Sequence, residues 1–166
     1  MNHVLRTLFF TAVVYPVSLI VLGLNIRRRE LLPQKGPAVI VANHNSHLDA
    51  LVLMTVFGLR RLKFVRPVAA ADYFLKTRLR AWFSKNVIGI VPLQRHGVAG
   101  RNDPLESVGA ALNEGQIVIL FPEGTRGEPE KLEEFRTGVA HVAKRYPEVP
   151  FFPVFMHGLG KALPMG

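Results

Sequence analysis

A run of twenty uncharged residues, Thr7 to Ile26, constrains this chain more than any other feature. Arg6 precedes the run, and Arg27, Arg28 and Arg29 follow it. Twenty helical residues rise about 30 Å, which is the thickness of the hydrocarbon core of a bilayer. The run therefore predicts a membrane helix, in which Pro16 is tolerated as a kink. By the positive-inside rule, the three arginines place the rest of the chain on the cytoplasmic side.

Two other interpretations of this segment fit its residues less well. A secretory signal usually has an apolar region of about 7–15 residues and a small-residue cleavage site, whereas this run is longer and ends in arginines. A buried helix of a soluble core would be apolar along one stripe, whereas this run is uncharged on every face. Residues 1–29 are therefore predicted to be a membrane anchor with a basic flank, and residues 30–166 a single domain.

The charge of the chain is strongly positive and unevenly distributed. The 166 residues contain 21 Lys and Arg against 12 Asp and Glu, and residues 60–101 alone hold ten bases and one acid. Such a surplus predicts an anionic partner: nucleic acid, a membrane surface or a phosphorylated substrate. No nucleic-acid partner is expected, because binding motifs and a stacking platform of strand aromatics are missing from the sequence. The absence of cysteine excludes thiol nucleophiles and cysteine-based zinc sites.

Short apolar runs alternate with helical patterns after the first segment. The runs predict strands, because they are too short for helices and rich in β-branched residues. They cover residues 38–43, 62–68, 88–93, 116–121 and 151–156, and the helices between them cover about 47–57, 73–85, 104–115 and 135–145. The predicted fold class is α/β, with a mostly parallel central sheet and helices on both faces, preceded by the N-terminal membrane helix.

The first polar cluster, residues 43–49, follows the first strand. His44 and Asp49 would point about 140° apart on one continuous helix, so they can meet only across a turn. If they meet, the carboxylate orients the imidazole and makes its other nitrogen a general base. Two alternatives stay open: Ser46 to Asp49 has the form of a capping box, and His47 is a rival base.

Two further clusters follow later strands, at the sheet edge where α/β proteins collect ligands. One contains Arg95. The other, Glu123-Gly124-Thr125-Arg126-Gly127, offers two glycines for a tight turn and an arginine whose fork matches phosphate oxygens. The alternatives are a solvated Arg95 and a surface turn with a local Glu123–Arg126 pair.

Four ordered blocks of this sequence closely resemble those of the glycerol-phosphate and lysophosphatidic acid acyltransferases. The resemblance extends from about residue 35 to 160. The blocks are Asn43-His44-x-Ser46-x-x-Asp49, then Arg95 after a strand, then Phe121-Pro122-Glu123-Gly124-Thr125-Arg126, then Val149-Pro150-Phe151-Phe152-Pro153-Val154.

The resemblance implies transfer of a fatty acyl group from acyl-CoA or acyl-carrier protein to a glycerolipid hydroxyl, above all that of lysophosphatidic acid, in phospholipid biosynthesis. It implies that His44 is the base and that Asp49 orients it. It assigns the acceptor's phosphate to Arg95, Glu123, Gly124, Thr125 and Arg126. It associates Pro150 and Pro153 with the acyl donor. It requires no metal and no cofactor other than the acyl donor, and membrane lipid is the expected partner.

Members of this family commonly continue for tens of residues past the fourth block, so a domain incomplete at its C-terminus is expected. The rival functions are acyl transfer to another acceptor, such as glycerol 3-phosphate or another lysolipid, and a catalytically silent phospholipid-binding protein. The acyl carrier and the oligomeric state stay open.

Overall fold

A five-stranded parallel sheet forms the centre of the chain in the computed structural model, which describes residues 1–74, 77–94, 103–125, 127–128 and 131–162. The strand order is β3-β2-β4-β1-β5, and every neighbouring pair is parallel. The predicted α/β fold is confirmed. The strands are β1 Ala38–Ala42, β2 Val65–Ala70, β3 Val91–Leu93, β4 Ile117–Leu120 and β5 Phe151–Val154.

Helices connect the strands, and an N-terminal helix precedes them. The N-terminal helix runs from His3 to Val21, beginning as α1 (His3–Phe9) and continuing as π-helical turns at Phe10–Val14 and Val17–Val21. The other helices are α2 Asp49–Val56, α3 Leu59–Leu62, α4 Ala71–Phe74, α5 Arg78–Phe83 followed by a π-helical turn at Ser84–Ile88, α6 Glu106–Asn113, α7 Gly138–Arg145 and α8 Leu159–Ala162.

One predicted helix, over residues 73–85, is wrong as a single element. Thr77 has an extended backbone and its hydroxyl accepts the N–H of Arg80 at 3.3 Å, so a new helix, α5, begins after it. This is the usual N-cap arrangement, in which a threonine oxygen satisfies an otherwise unpaired amide of the first turn.

Apolar side chains cover both faces of the sheet. Along β1, Ala38, Ile40 and Ala42 pack with the N-terminal helix and α2, whereas Val39 faces the opposite side, with α6 and α7. The two faces follow from the two-residue period of a strand, because successive side chains point in opposite directions. Strands buried on both faces explain why the sequence shows continuous apolar runs instead of alternation.

The N-terminal helix has a buried stripe and an exposed apolar surface. Arg6, Phe10, Val14 and Ser18, spaced by four residues, are buried, and Phe10 and Val14 belong to the core beneath the sheet. Tyr15 Oη also donates to the carbonyl of Thr55 at 2.9 Å. The remaining faces stay open, and exposed side chains include Val4, Leu8, Ile20 and Val21. The helix is long and apolar enough to cross a membrane, although it starts and ends about four residues earlier than predicted.

Replacing Phe10 by Ala should destabilise the whole domain, because its ring is 0% exposed in the core that α2 and the sheet share. A loss of about 3–5 kcal/mol is expected for such a truncation. Chemical unfolding in detergent micelles measures it. Ile20→Ala is the matched control: that side chain is 81% exposed, so its removal should leave the free energy of unfolding nearly unchanged. Equal effects of the two variants would contradict the packing of this helix on the domain.

Candidate active site

The site lies where β1 and β4 end, side by side. Val41 pairs with Leu120 near the end of the two strands, so the segments that follow, residues 43–49 and 121–127, lie next to each other. Two hydrogen bonds join them through one residue: the His44 N–H donates to Glu123 Oε1 at 3.3 Å, and the Gly127 N–H donates to the His44 carbonyl at 2.9 Å. The first and third polar clusters of the sequence therefore meet in the structure.

His44 and Asp49 form a hydrogen-bonded pair. Nδ1 of the imidazole lies 2.9 Å from Asp49 Oδ2, and the carboxylate is 1% exposed at the first residue of α2. The same oxygen accepts the backbone N–H groups of Asn45 at 2.6 Å and Ser46 at 2.8 Å. These two amides fix the carboxylate, which in turn fixes the ring and leaves Nε2 on its opposite side as the position for a general base.

Asp49 Oδ2 accepts the Ser46 N–H, as one half of the predicted capping box requires, and the same oxygen also binds the imidazole of His44. The predicted start of the helix, with Ser46 capping residues 47–57, is wrong by two residues. The turn engages its amides with Asp49, and α2 begins only at Asp49 with Leu48 as its N-cap. His47, the rival base, is exposed.

The ring of Phe121 stacks on the ring of His44, with centroids 4.2 Å apart and an angle of 22° between the planes. Phe121 directly follows β4. Its ring packs against the face of the imidazole, whereas Asp49 contacts the edge of the imidazole at Nδ1, and both contacts restrict the orientation of the ring. Phe121 belongs to the third sequence block, but its contact with His44 was not predicted. The only signal was its position, since its strand neighbours the strand that carries His44.

Glu123 is buried rather than part of a surface turn. The residue is 2% exposed, and its Oε1 is the atom that accepts the His44 N–H. Burial raises the pKa of the Glu123 carboxyl, whereas the hydrogen bond from the His44 N–H and the electrostatic influence of His44 oppose that shift. Its carboxylate therefore positions the loop that carries His44.

Arg136 supports the glycine turn after β4 and was not predicted. Its Nε donates to the carbonyl of Glu123 at 3.0 Å, and its own N–H donates to the carbonyl of Pro122 at 2.8 Å. Gly124 has a φ of +70°, and a Cβ there would lie 2.7 Å from the Arg136 Cδ. Only glycine suits this position, for its backbone conformation and for the close approach of Arg136. Nothing in the sequence relates Arg136 to the motif.

Asn43 joins the end of β1 to the chain beyond β5. Its Nδ2 donates to the carbonyl of Met156 at 2.8 Å, and the Met156 N–H donates to Asn43 Oδ1 at 2.7 Å. The side-chain amide of Asn43 thus forms the pair of hydrogen bonds with the Met156 backbone that a neighbouring strand would form. This pairing secures the residue before His44 against the edge strand.

The other predicted site residues lie in several places. Arg95 and Arg126 fall outside the described residues. Thr125 is exposed and follows Gly124, whose N–H closes the turn by donating to the Phe121 carbonyl. The strand that leads to Arg95, β3, lies two strands from β4 across β2, about 10 Å away.

The two residues predicted to bind the acyl donor are on the edge strand or next to it. The Pro150 carbonyl accepts the Val39 N–H at 3.0 Å, at the opposite end of β1 from His44. Pro153 lies within β5 beside Val41 and is exposed. Proline lacks a backbone donor and is confined to such edge positions in sheets. The structure thus brings together His44, Asp49, Glu123 and Gly124, and leaves Pro150 apart from them.

Comparison with known proteins assigns the family. A family model described as acyltransferase matches residues 23–157, which is most of the chain. The chain belongs to this acyltransferase family. It is 31% identical to the chloroplast 1-acyl-sn-glycerol-3-phosphate acyltransferase of Arabidopsis thaliana over 99% of this chain and 43% of that protein. It is 28% identical to the human 1-acyl-sn-glycerol-3-phosphate acyltransferase alpha over 79% of this chain and 44% of that protein.

A third relative of this chain is named for a different lipid. The lyso-ornithine lipid O-acyltransferase of Rhizobium meliloti is 27% identical over 81% of this chain and 44% of that protein. The chain thus spans less than half the length of each of these three relatives. The matched region contains both segments of the site, residues 43–49 and 121–127.

Replacing Glu123 by Gln should stabilise the folded chain increasingly as the pH rises. The folded state holds the carboxyl pKa above its usual value of 4.5, so the folded protein keeps a proton that the unfolded chain loses. Stability from this group is complete below the usual pKa and is lost as the pH rises through the raised pKa. The glutamine keeps an oxygen for the His44 amide and does not titrate. The difference in free energy of unfolding, variant minus wild type, should therefore grow with pH from about 4.5 upward.

Unfolding curves measured from pH 4 to 8 test this, with Glu148→Gln, a change at an exposed glutamate, as the control. The control difference should stay flat. A flat difference for Glu123→Gln as well would show that burial does not raise this pKa.

Proposed function

We propose that the protein containing this chain transfers a fatty acyl group from acyl-CoA or acyl-carrier protein to the free hydroxyl of lysophosphatidic acid, giving phosphatidic acid. The observation that carries the proposal is the 2.9 Å contact between His44 Nδ1 and Asp49 Oδ2, in which two backbone amides hold the carboxylate. The names of the Arabidopsis and human relatives support this choice of acceptor.

His44 acts as the general base. Its Nε2 takes the proton of the acceptor hydroxyl while that oxygen attacks the thioester carbonyl carbon. The tetrahedral intermediate then collapses, the carbon–sulfur bond breaks, and the imidazolium returns its proton to the departing thiolate. The products are an ester and a free thiol. Asp49 stabilises the imidazolium between the two proton transfers and keeps the ring in the required tautomer.

The acceptor's phosphate binds near the turn at Gly124 and Thr125, with Arg126 and Arg95 as its cationic ligands. An arginine fork matches phosphate oxygens in pairs. Glu123 carries the wrong charge for direct contact with phosphate, and its contact with the His44 amide supports a positioning role instead. Pro150 and Pro153 keep their proposed association with the acyl donor. The reaction uses no metal and no further cofactor.

The N-terminal helix associates with the membrane in this proposal, and the site faces the cytoplasm. The exposed apolar side chains of this helix and the three arginines that follow it support this placement. Such a position brings the site to the lipid in which the acceptor resides.

A second candidate keeps the chemistry and changes the acceptor. One relative is named as a lyso-ornithine lipid O-acyltransferase, so a protein similar to this chain carries the name of a different acceptor. A lysolipid other than lysophosphatidic acid would then be the substrate, and the arginines would have a different ligand. Glycerol 3-phosphate is a further acceptor, and a catalytically silent lipid-binding protein is the remaining rival.

Replacing His44 by Ala should lower acyl transfer by about 10²–10⁴-fold, the usual contribution of a general base. Membranes of cells that express the protein are incubated with labelled acyl-CoA and a panel of lysolipids, and the products are identified. His141→Ala, which removes an exposed histidine of α7, is the matched control and should leave transfer unchanged. Both proteins should remain in the membrane fraction. Transfer at the wild-type rate by His44→Ala would exclude the proposed base, and absence of any product with wild-type protein would favour the silent rival.

Replacing Arg126 by Ala should raise the KM for the phosphorylated acceptor and leave the KM for the acyl donor within about two-fold, because only the acceptor carries the phosphate that this arginine binds. Initial rates with each substrate varied in turn give the two constants. Lys131→Ala is the control, since this exposed lysine of the same region pairs with Glu128. An equal loss for both substrates would show that Arg126 is structural.

A further inference from the structure

A cleft of about 610 Å³ opens between the N-terminal helix and the end of α2. Its apolar lining includes Tyr15, Phe57 and Leu59. Its polar lining includes three arginines, Arg29, Arg60 and Arg61, together with Glu30 and Gln34. Phe57 is 3% exposed and Leu59 is 41% exposed, so the apolar part reaches from the core to the surface. This volume is within the range of ligand pockets, which are about 300–1,000 Å³.

Two distant parts of the chain bring the arginines together. Arg28 adopts a left-handed conformation, with a φ of 54°, directly before the short 3-10 turn that contains Arg29. On the other side, Gly58 has a φ of 76° and starts the turn of α3, which carries Arg60 and Arg61. The Arg29 guanidinium lies against Gly58, since a Cβ there would be 3.2 Å from Arg29 Nη2. The absence of a side chain at residue 58 thus leaves room for this guanidinium.

The cleft is positively charged and has little internal compensation. Glu30 is its one acidic lining residue, against three arginines. Within the part of the chain that the structure describes, none of the three guanidinium groups forms an ion pair with a carboxylate. Neighbouring guanidinium groups repel one another, and a phosphate between them replaces this repulsion by charge-assisted, paired hydrogen bonds.

This cleft is separate from the site at His44. Asp49 is the first residue of α2, whereas Phe57 follows its last, and eight helical residues extend about 12 Å. Arg60 and Arg61 also precede β2, so they lie toward the amino ends of the strands, and the catalytic pair follows a carboxyl end. The acceptor's phosphate at Gly124 therefore cannot be the phosphate that this cleft binds.

We propose that the cleft binds the phosphate of an anionic glycerophospholipid of the surrounding membrane, at a site distinct from the active site. The arginines contact the phosphate, and Leu59 and Tyr15 contact the glycerol and the start of the acyl chains. Tyr15 of the N-terminal helix lines the cleft, and Leu19, one helical turn further on, is 50% exposed, so a lipid beside that helix can reach the arginines.

The test compares two double variants in which arginine is replaced by lysine. These changes keep the net charge and remove the planar guanidinium, which can donate two parallel hydrogen bonds to a phosphate. Binding of the full chain to phosphatidylcholine vesicles is measured with and without phosphatidylglycerol. Phosphatidylglycerol should increase the vesicle binding of the wild type. In the double variant Arg60→Lys, Arg61→Lys this increase should be about ten-fold smaller, because lysine cannot form the paired contacts. Arg78→Lys with Arg80→Lys, two exposed arginines on α5, is the control and should retain the full gain. Equal losses in the two variants, or no loss in either, would overturn the proposal in favour of a diffuse attraction.

A second arm separates a lipid headgroup from free phosphate. Thermal unfolding of the wild type in neutral detergent is followed with inorganic phosphate and, at equal ionic strength, with chloride. A lipid site predicts no difference between the two salts, and a rise in the melting temperature when phosphatidylglycerol is added to the micelles. The contrary outcome is that inorganic phosphate raises the melting temperature of the wild type but not that of the Arg60→Lys, Arg61→Lys variant. If vesicle binding were also the same for both proteins, the cleft would be a site for soluble phosphate and the lipid proposal would be refuted.

Discussion

The backbone of His44 is held on both sides by the loop that follows β4, and the whole site depends on that constraint. Its N–H donates to Glu123 Oε1, and its carbonyl accepts from Gly127. The constraint exists because β1 and β4 are parallel neighbours, so their carboxyl ends deliver two loops to the same place. Burying the carboxylates of Asp49 and Glu123 costs free energy. Among the described residues, Asp49 Oδ1 and Glu123 Oε2 have no hydrogen-bond partner, so the apolar sheet beneath them must stabilise this polar edge.

The sheet and the contact between His44 and Asp49 were predictable because local rules determine them. Short β-branched runs between turn residues have few alternatives to strands, and His44 and Asp49 can meet only across a turn. Phe121 and Arg136 were not predictable, since their roles depend on which strands become neighbours and on where a distant loop returns. The break at Thr77 was missed for a related reason. The apolar spacing of residues 73–85 is compatible with a single helix. The Thr77 hydroxyl, however, accepts the Arg80 N–H and so caps the start of a second helix.

The N-terminal helix combines two interpretations that the sequence presented as alternatives. Along its buried stripe it is a core helix: Phe10 packs beneath the sheet, and Arg6 donates from Nη2 to the carbonyl of Val65 at 2.6 Å. On its other faces it presents apolar side chains to the outside, and 22% of its apolar 18-residue stretch is buried. The sequence could not separate these faces, because serine, valine and phenylalanine are uncharged wherever they point. A helix packed in this way has only its outer faces available to lipid.

The positive charge of residues 60–101 is likewise divided by the fold and cannot act as one patch. Arg66 is half-buried, burial lowers the pKa of its guanidinium, and its Nε donates to the carbonyl of Gly89. Arg60 and Arg61 line the cleft at the amino ends of the strands, whereas Arg78 and Arg80 lie exposed on α5. Each exposed base near an anionic leaflet contributes about 1 kcal/mol irrespective of lipid identity. Lipid selectivity therefore requires arginines that converge in a built pocket, so it depends on the geometry at Gly58 and not on the net charge.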